Sequence, residues 1–170
     1  GSNNTSAGYA SGSTLTTGSN NTYIGSNADA TTNSLTNSTA IGYNAKVSSN
    51  NSMVLGGSGA NLVNVGIGVS SPSSALSFDG TAARTVGMER NTTAATAGYA
   101  FTVQAGGAYS TGTNLNGGDL NLVSGISTGT GSSAIYFKTA AAGSSGATDN
   151  TPATRMTISG SGNVGIGTSS

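Results

Sequence analysis

The chain of 170 residues contains no cysteine, no histidine and no tryptophan, and only two prolines. Without thiols or imidazoles, disulfide scaffolds, Cys/His metal centres and histidine-based catalytic triads are excluded. The missing cysteines say that the fold does not rely on bridges; they say nothing of the redox compartment. Charge is scarce too, with five basic and five acidic residues giving a net charge of zero. Five scattered cations and few aromatics leave no electrostatic footprint for nucleic acid. No run approaches the roughly 18 apolar residues needed to cross a bilayer, so membrane insertion is not expected. No signal peptide is read, and Gly1-Ser2 has the look of a cloning scar on an excised fragment. Large apolar side chains are the last shortage. Leu, Ile, Val and Phe number 27, about 16% of the chain, which is low for a globular domain. Self-repulsion is not the reason, because the charges cancel. So few apolar side chains fall short of offsetting the entropy of ordering the chain. The chain is therefore either disordered or borrows a core from other copies of itself.

What is abundant is small and turn-forming: 28 Gly, 28 Ser, 25 Thr and 18 Asn account for 99 residues. They fall into repeats. Asn4-Thr5-Ser6-Ala7-Gly8-Tyr9-Ala10, Asn21-Thr22-Tyr23-Ile24-Gly25-Ser26-Asn27-Ala28, Asn37-Ser38-Thr39-Ala40-Ile41-Gly42-Tyr43-Asn44-Ala45 and Asn51-Ser52-Met53-Val54-Leu55-Gly56 align, with their glycines 17, 17 and 14 residues apart. Each unit reads as a polar turn, a short strand ending in a large apolar residue, then Gly. A 14-residue coil has a perimeter of about 46 Å at roughly 3.3 Å per residue, enough for two short strands and two turns. Ile24, Ile41 and Leu55 are expected to stack from coil to coil inside the roll. Gly25, Gly42 and Gly56 are expected to take a positive-φ turn or to allow close backbone approach. The three extra residues of the longer units fit as a turn insertion around Ala30 to Asn33.

A second repeat is widely spaced. Asn64-Val65-Gly66-Ile67-Gly68 recurs 99 positions later as Asn163-Val164-Gly165-Ile166-Gly167. Ile67 and Ile166 read as core positions, and Gly66, Gly68, Gly165 and Gly167 as turn glycines. Between the copies, Ala100–Gln104, Asp119–Val123, Ser133–Lys138 and Arg155–Ser159 carry strand patterns, separated by Gly-rich turn signals. No convincing helical period exists anywhere. The chain reads as all-β.

These residues resemble two groups of trimeric fibre proteins. Residues 3–56 are similar to the head repeats of trimeric autotransporter adhesins, with Thr39-Ala40-Ile41-Gly42-Tyr43-Asn44-Ala45 the nearest match. Met156-Thr157-Ile158-Ser159-Gly160-Ser161-Gly162-Asn163-Val164-Gly165-Ile166-Gly167-Thr168, and residues 61–76, resemble a phrase of bacteriophage tail fibres found upstream of an endosialidase-type intramolecular chaperone. Gly117-Gly118-Asp119-Leu120-Asn121-Leu122 is similar to glycine-rich shaft modules of such fibres. The resemblance touches about half the chain and implies a parallel homotrimer: a β-roll or β-solenoid followed by an intertwined, triple-β-helix-like shaft. It also implies an extracellular place, on a virion or a bacterial surface. Any anchor or chaperone is expected outside these residues.

Other motifs yield blander readings. Gly66-Ile67-Gly68-Val69-Ser70-Ser71 suggests a phosphate loop, but no Lys-Ser/Thr pair follows and Pro72 precedes any helix, so a structural turn is expected. Asp29, Asp79, Glu89, Asp119 and Asp149 are too few and scattered to point to glycoside hydrolysis, which needs two carboxyls facing one sugar. Arg84, Glu89 and Arg90 read as interchain ion pairs that set register. Asn suits coil corners. No Thr-x-Thr ladder repeats at the coil spacing, which disfavours ice binding. Tyrosines offer sugar-stacking surfaces, with Tyr23 and Tyr43 as possible glycan contacts.

The expected organisation is a head-repeat-like roll over 1–60, a connector over 61–76, a glycine-rich β shaft over 77–154 and a second connector over 155–170. The expected function is structural, a fibre segment for extension and for host or surface attachment. It is not expected to be an enzyme or to carry a cofactor. The alternatives are a glycan-binding module and an open-ended filament subunit.

Overall fold

The computed structural model describes residues 1–167, so Thr168 and the end of the second connector lie outside the described residues. The protein is all-β and divides into two compact units, Gly1–Gly87 and Met88–Ser170. Among the described residues, the only helix is one 3-10 turn at Gly59–Asn61.

In the first unit the aligned repeats wind into a β-solenoid of about three turns. Its strands are β1 (Thr5–Ala7), β2 (Thr22–Ile24), β3 (Asp29–Ala30), β4 (Thr39–Ile41), β5 (Lys46–Val47) and β6 (Met53–Leu55). β1, β2, β4 and β6 pair in parallel as one sheet, and β3 pairs with β5 as a second. The repeat spacing is thus the coil length. The three extra residues of the longer coil fall between Ala30, which pairs with Val47, and Asn37, whose side chain meets Asn51.

The corners explain the composition. Asn3, Asn20, Asn37 and Asn51 recur at one corner with φ of 59°, 61°, 54° and 54°. Asn enters this left-handed region at low cost because its short side chain hydrogen-bonds locally. At the opposite corner, Gly25 and Gly42 have φ of 124° and 117°, a conformation that L side chains rarely adopt. A Cβ on Gly25 would also stand only 2.7 Å from the Gly42 carbonyl oxygen of the next coil.

The core of the roll is Tyr23, Ala28, Ala30, Leu35, Ala40, Ala45 and Val47. This corrects the expected facing. Ile24, Ile41 and Leu55 do stack in one register row, but on the outer face, with Ile24 and Leu55 exposed. The reason is the alternation of side chains along a strand. In each of these three-residue strands the middle side chain is the one turned inward: Tyr23, Ala40 or Val54. Its neighbours must point outward.

The Asn-Val-Gly-Ile-Gly phrase forms a strand in both copies, with different partners. β7 (Val65–Ile67) pairs in parallel with β8 (Leu76–Phe78). In the second unit, β11 (Val164–Ile166) pairs antiparallel with β10 (Ala153–Ile158), which also pairs antiparallel with β9 (Ile135–Thr139). Gly68 and Gly167 take nearly the same φ, 73° and 72°. Gly66 and Gly165 are strand residues, not turns, because the turn comes one residue after each strand. Ile67 and Ile166 are exposed rather than core, each at the end of a three-residue strand. Ala100–Gln104 and Asp119–Val123 form no strand: neither has a pairing partner among the described residues.

Candidate interaction surfaces

Inside the roll, a polar ladder supports the small core. Asn4 Oδ1 accepts from the Asn21 amide and from Asn21 Nδ2, both at 3.0 Å. Asn21 Nδ2 also donates to the Leu35 carbonyl at 2.7 Å. Asn21 Oδ1 accepts from the Ser38 amide at 2.9 Å and from Ser38 Oγ at 2.7 Å. Because the single Ser38 hydroxyl proton goes to Asn21, the Tyr23 hydroxyl donates to Ser38 Oγ at 3.0 Å. No buried side-chain polar atom among the described residues lacks a partner. Tyr23 is fully buried, so it is not a glycan contact. The ladder escaped sequence reasoning, although its signal is visible as the second residue of each Asn-Asn or Asn-Ser doublet.

Asp29 is the one buried carboxylate of the roll. It accepts from Thr14 Oγ1 at 2.8 Å, from the Thr14 amide and Ser13 Oγ at 3.0 Å, and from the Ala30 amide at 2.8 Å. Lys46 Nζ lies 3.8 Å away. Burial is the largest single influence on its pKa and pushes it up. The Thr14, Ser13 and Ala30 hydrogen bonds together outweigh burial and hold the carboxyl below its ordinary value. Its role is to fasten the first coil, which forms no strand opposite β3, onto the second.

The outside of the roll carries two columns. One is the apolar row of Ala7, Ile24, Ile41 and Leu55. The other follows each corner glycine: Tyr9, Ser26 and Tyr43, with both tyrosines exposed. Beside Tyr43, a cavity of about 290 Å³ is lined by residues that include Asn44, Lys46, Leu55, Gly57 and Leu62.

In the second unit, large apolar residues are mostly in solvent. Phe101, Val103, Leu120, Leu122, Val123 and Ile126 are all exposed, Ile126 completely. A cavity of about 580 Å³ is lined by residues that include Glu89, Arg90, Asn91 and Tyr99. Arg90 donates to both carboxylate oxygens of Asp149, at 2.9 Å to Oδ2. This contact holds Asp149 below its ordinary pKa and raises Arg90. In the first unit Arg84 donates to Asp79 at 3.0 Å. Both arginines expected to bridge chains therefore pair within their own.

The remaining chemical candidates stay apart. Gly66 and Gly68 lead into β8 and not into a helix, so no phosphate-loop geometry forms. Among the described residues, no group of three or more carboxylates is placed to hold a metal, and no helix is long and apolar enough to cross a membrane. Comparisons with family models, curated proteins and solved structures find no match to this chain.

Proposed function

We propose that the protein is a structural fibre segment of a phage tail fibre or bacterial surface adhesin, which assembles with copies of itself and serves extension and surface attachment. The observation that carries this reading is the run of exposed apolar residues in the second unit, on segments that find no strand partner among the described residues. Strand-patterned backbone with bare Phe101, Val103, Leu120 and Leu122 is unfavourable in water and invites edge pairing. A parallel homotrimer removes the problem by presenting each segment to its own counterparts, as in the intertwined shafts that the sequence resembles. The outer Ile24–Ile41–Leu55 row offers a further apolar strip for the same assembly.

Filament growth by end-to-end stacking of rolls is less favoured. One corner of the last coil is covered by its own chain: the Gly57 amide donates to the Asn61 carbonyl at 3.0 Å, and Val63 packs on Gly56. The test is the mass of the purified protein by light scattering, together with its far-ultraviolet circular dichroism. Three times the chain mass of 16.2 kDa with a β spectrum is the expected result. A well-folded monomer would overturn the assembly, and a broad distribution of larger masses would restore the filament.

A further inference from the structure

The Tyr9–Ser26–Tyr43 column is laid out like a glycan-binding strip. Parallel pairing carries the three positions from coil to coil: the Asn27 amide donates to the Tyr9 carbonyl and the Asn44 amide to the Ser26 carbonyl, at 2.8 and 3.0 Å. Tyr9 and Tyr43 thus stand two coils apart, about 10 Å along the roll given the spacing of neighbouring strands. Tyr9 is 82% exposed and Tyr43 58%, far from the zero of Tyr23, which does the packing in this part of the sheet. Ser26, between them, is small enough to leave the space between the rings open.

The adjoining column is Ala10, Asn27 and Asn44, held at φ of 51°, 57° and 55°. Neither the Asn27 nor the Asn44 carboxamide hydrogen-bonds a described residue, so each keeps donors and acceptors free one coil apart. At the end of the strip, Gly57 takes the place that Tyr43 holds one coil earlier, and the cavity of about 290 Å³ opens beside Asn44. No charged side chain lies in either column. Lys46, in the cavity wall, is drawn toward Asp29 at 3.8 Å.

We propose that this strip binds an extended, neutral, β-linked oligosaccharide. Alternate sugar rings of such a flat chain repeat at a distance comparable to the separation of Tyr9 and Tyr43. Each ring's apolar face would rest on a tyrosine. The intervening hydroxyls would meet the Asn27 and Asn44 carboxamides, and the terminal ring would enter the cavity. The proposal rests on the attachment half of the function given above and supplies its ligand class.

The test is isothermal titration of the intact protein with cellohexaose and chitohexaose, against maltohexaose, whose α-linked chain coils. Binding of a β-linked hexaose is expected to be at least tenfold tighter than that of maltohexaose. Tyr9→Ala and Tyr43→Ala should each weaken it at least tenfold, while the light-scattering mass stays that of the wild type. Absence of binding to both β-linked hexaoses, equal binding of maltohexaose, or indifference to the two substitutions would overturn the proposal. A fall in mass in either variant would also overturn it, because the tyrosines would then belong to a chain interface. A monomeric wild type that still binds through both tyrosines would keep the strip and remove the assembly.

Discussion

The two units are made from the same few residue types and reach opposite states. The roll at residues 1–56 buries Tyr23, Leu35, Val47 and a set of alanines, while Met88–Ser170 leaves Phe101, Val103, Leu120, Leu122, Val123 and Ile126 exposed. Total apolar content does not separate them, since the roll is built largely on alanine. Periodicity does. A repeat of 17 or 14 residues brings like onto like in parallel register, so Asn4, Asn21 and Ser38 can satisfy one another and a small residue can fill a narrow lumen. The second unit has no such period; β9, β10 and β11 pair with one another, but Ala100–Gln104 and Asp119–Val123 find no strand partner among the described residues. The lesson is that a Gly/Ser/Thr/Asn-rich chain can fold on its own where its sequence repeats at the coil length. Elsewhere its large apolar residues stay exposed.

The comparison can be broken most sharply at Tyr23. Tyr23→Ala removes the largest core side chain and the hydroxyl that donates to Ser38 Oγ, and should cost about 3–5 kcal/mol by denaturant titration. A cost near zero would mean that the roll is not the stable unit. Phe101→Ala supplies the counterpart. Under the proposed assembly it lowers a melting midpoint that rises with protein concentration; a midpoint independent of concentration would place the missing core within one chain.

Glycines offer the next contrast. Gly25→Ala forces a side chain into φ of 124° and against the Gly42 carbonyl, for an expected loss of about 2 kcal/mol or more. Gly98→Ala meets nothing within 4 Å and should stay within about 0.5 kcal/mol, as read by thermal melting of both variants. A large cost at Gly98 would reveal a neighbour that the single chain lacks.

Acid probes the seam between the first two coils. The folded pKa of Asp29 is lowered, so its stabilisation is fully present above the unfolded value of about 3.9. It is lost as pH falls through the lower folded value. Asp29→Asn should flatten that part of the stability–pH curve, and an unchanged curve would remove Asp29 as the fastener. The smallest expected effect is at Arg90. Its pair with Asp149 is exposed on both sides, so Arg90→Ala should leave the melting midpoint unchanged.

Much of the roll was legible because parallel stacking copies a sequence period directly into space. The aligned repeats, the insertion near Ala30 and the corner asparagines all correspond to structure. The facing of Ile24, Ile41 and Leu55 was not legible, because it depends on which residue of each strand meets the lumen, and a shift of one residue exchanges the faces. The polar ladder was hidden for a related reason: an asparagine reads as a turn residue until the neighbouring coil brings Ser38 or Leu35 within reach. Of the tyrosines singled out, Tyr23 turned inward and Tyr43 outward, although both stand next to a repeat position.

By itself the sequence determined an all-β chain, its coil length and the absence of cysteine and histidine chemistry, since each of these is a property of composition or of spacing along the chain. Only the tertiary structure decided which side of each three-residue strand faces the lumen, which asparagines turn corners and which bridge coils, and that one phrase pairs in parallel at Val65–Ile67 but antiparallel at Val164–Ile166. Those outcomes depend on which backbone lies 4.7–4.9 Å away. A strand supplies its own alternation of side chains, but it acquires its partner from the rest of the fold.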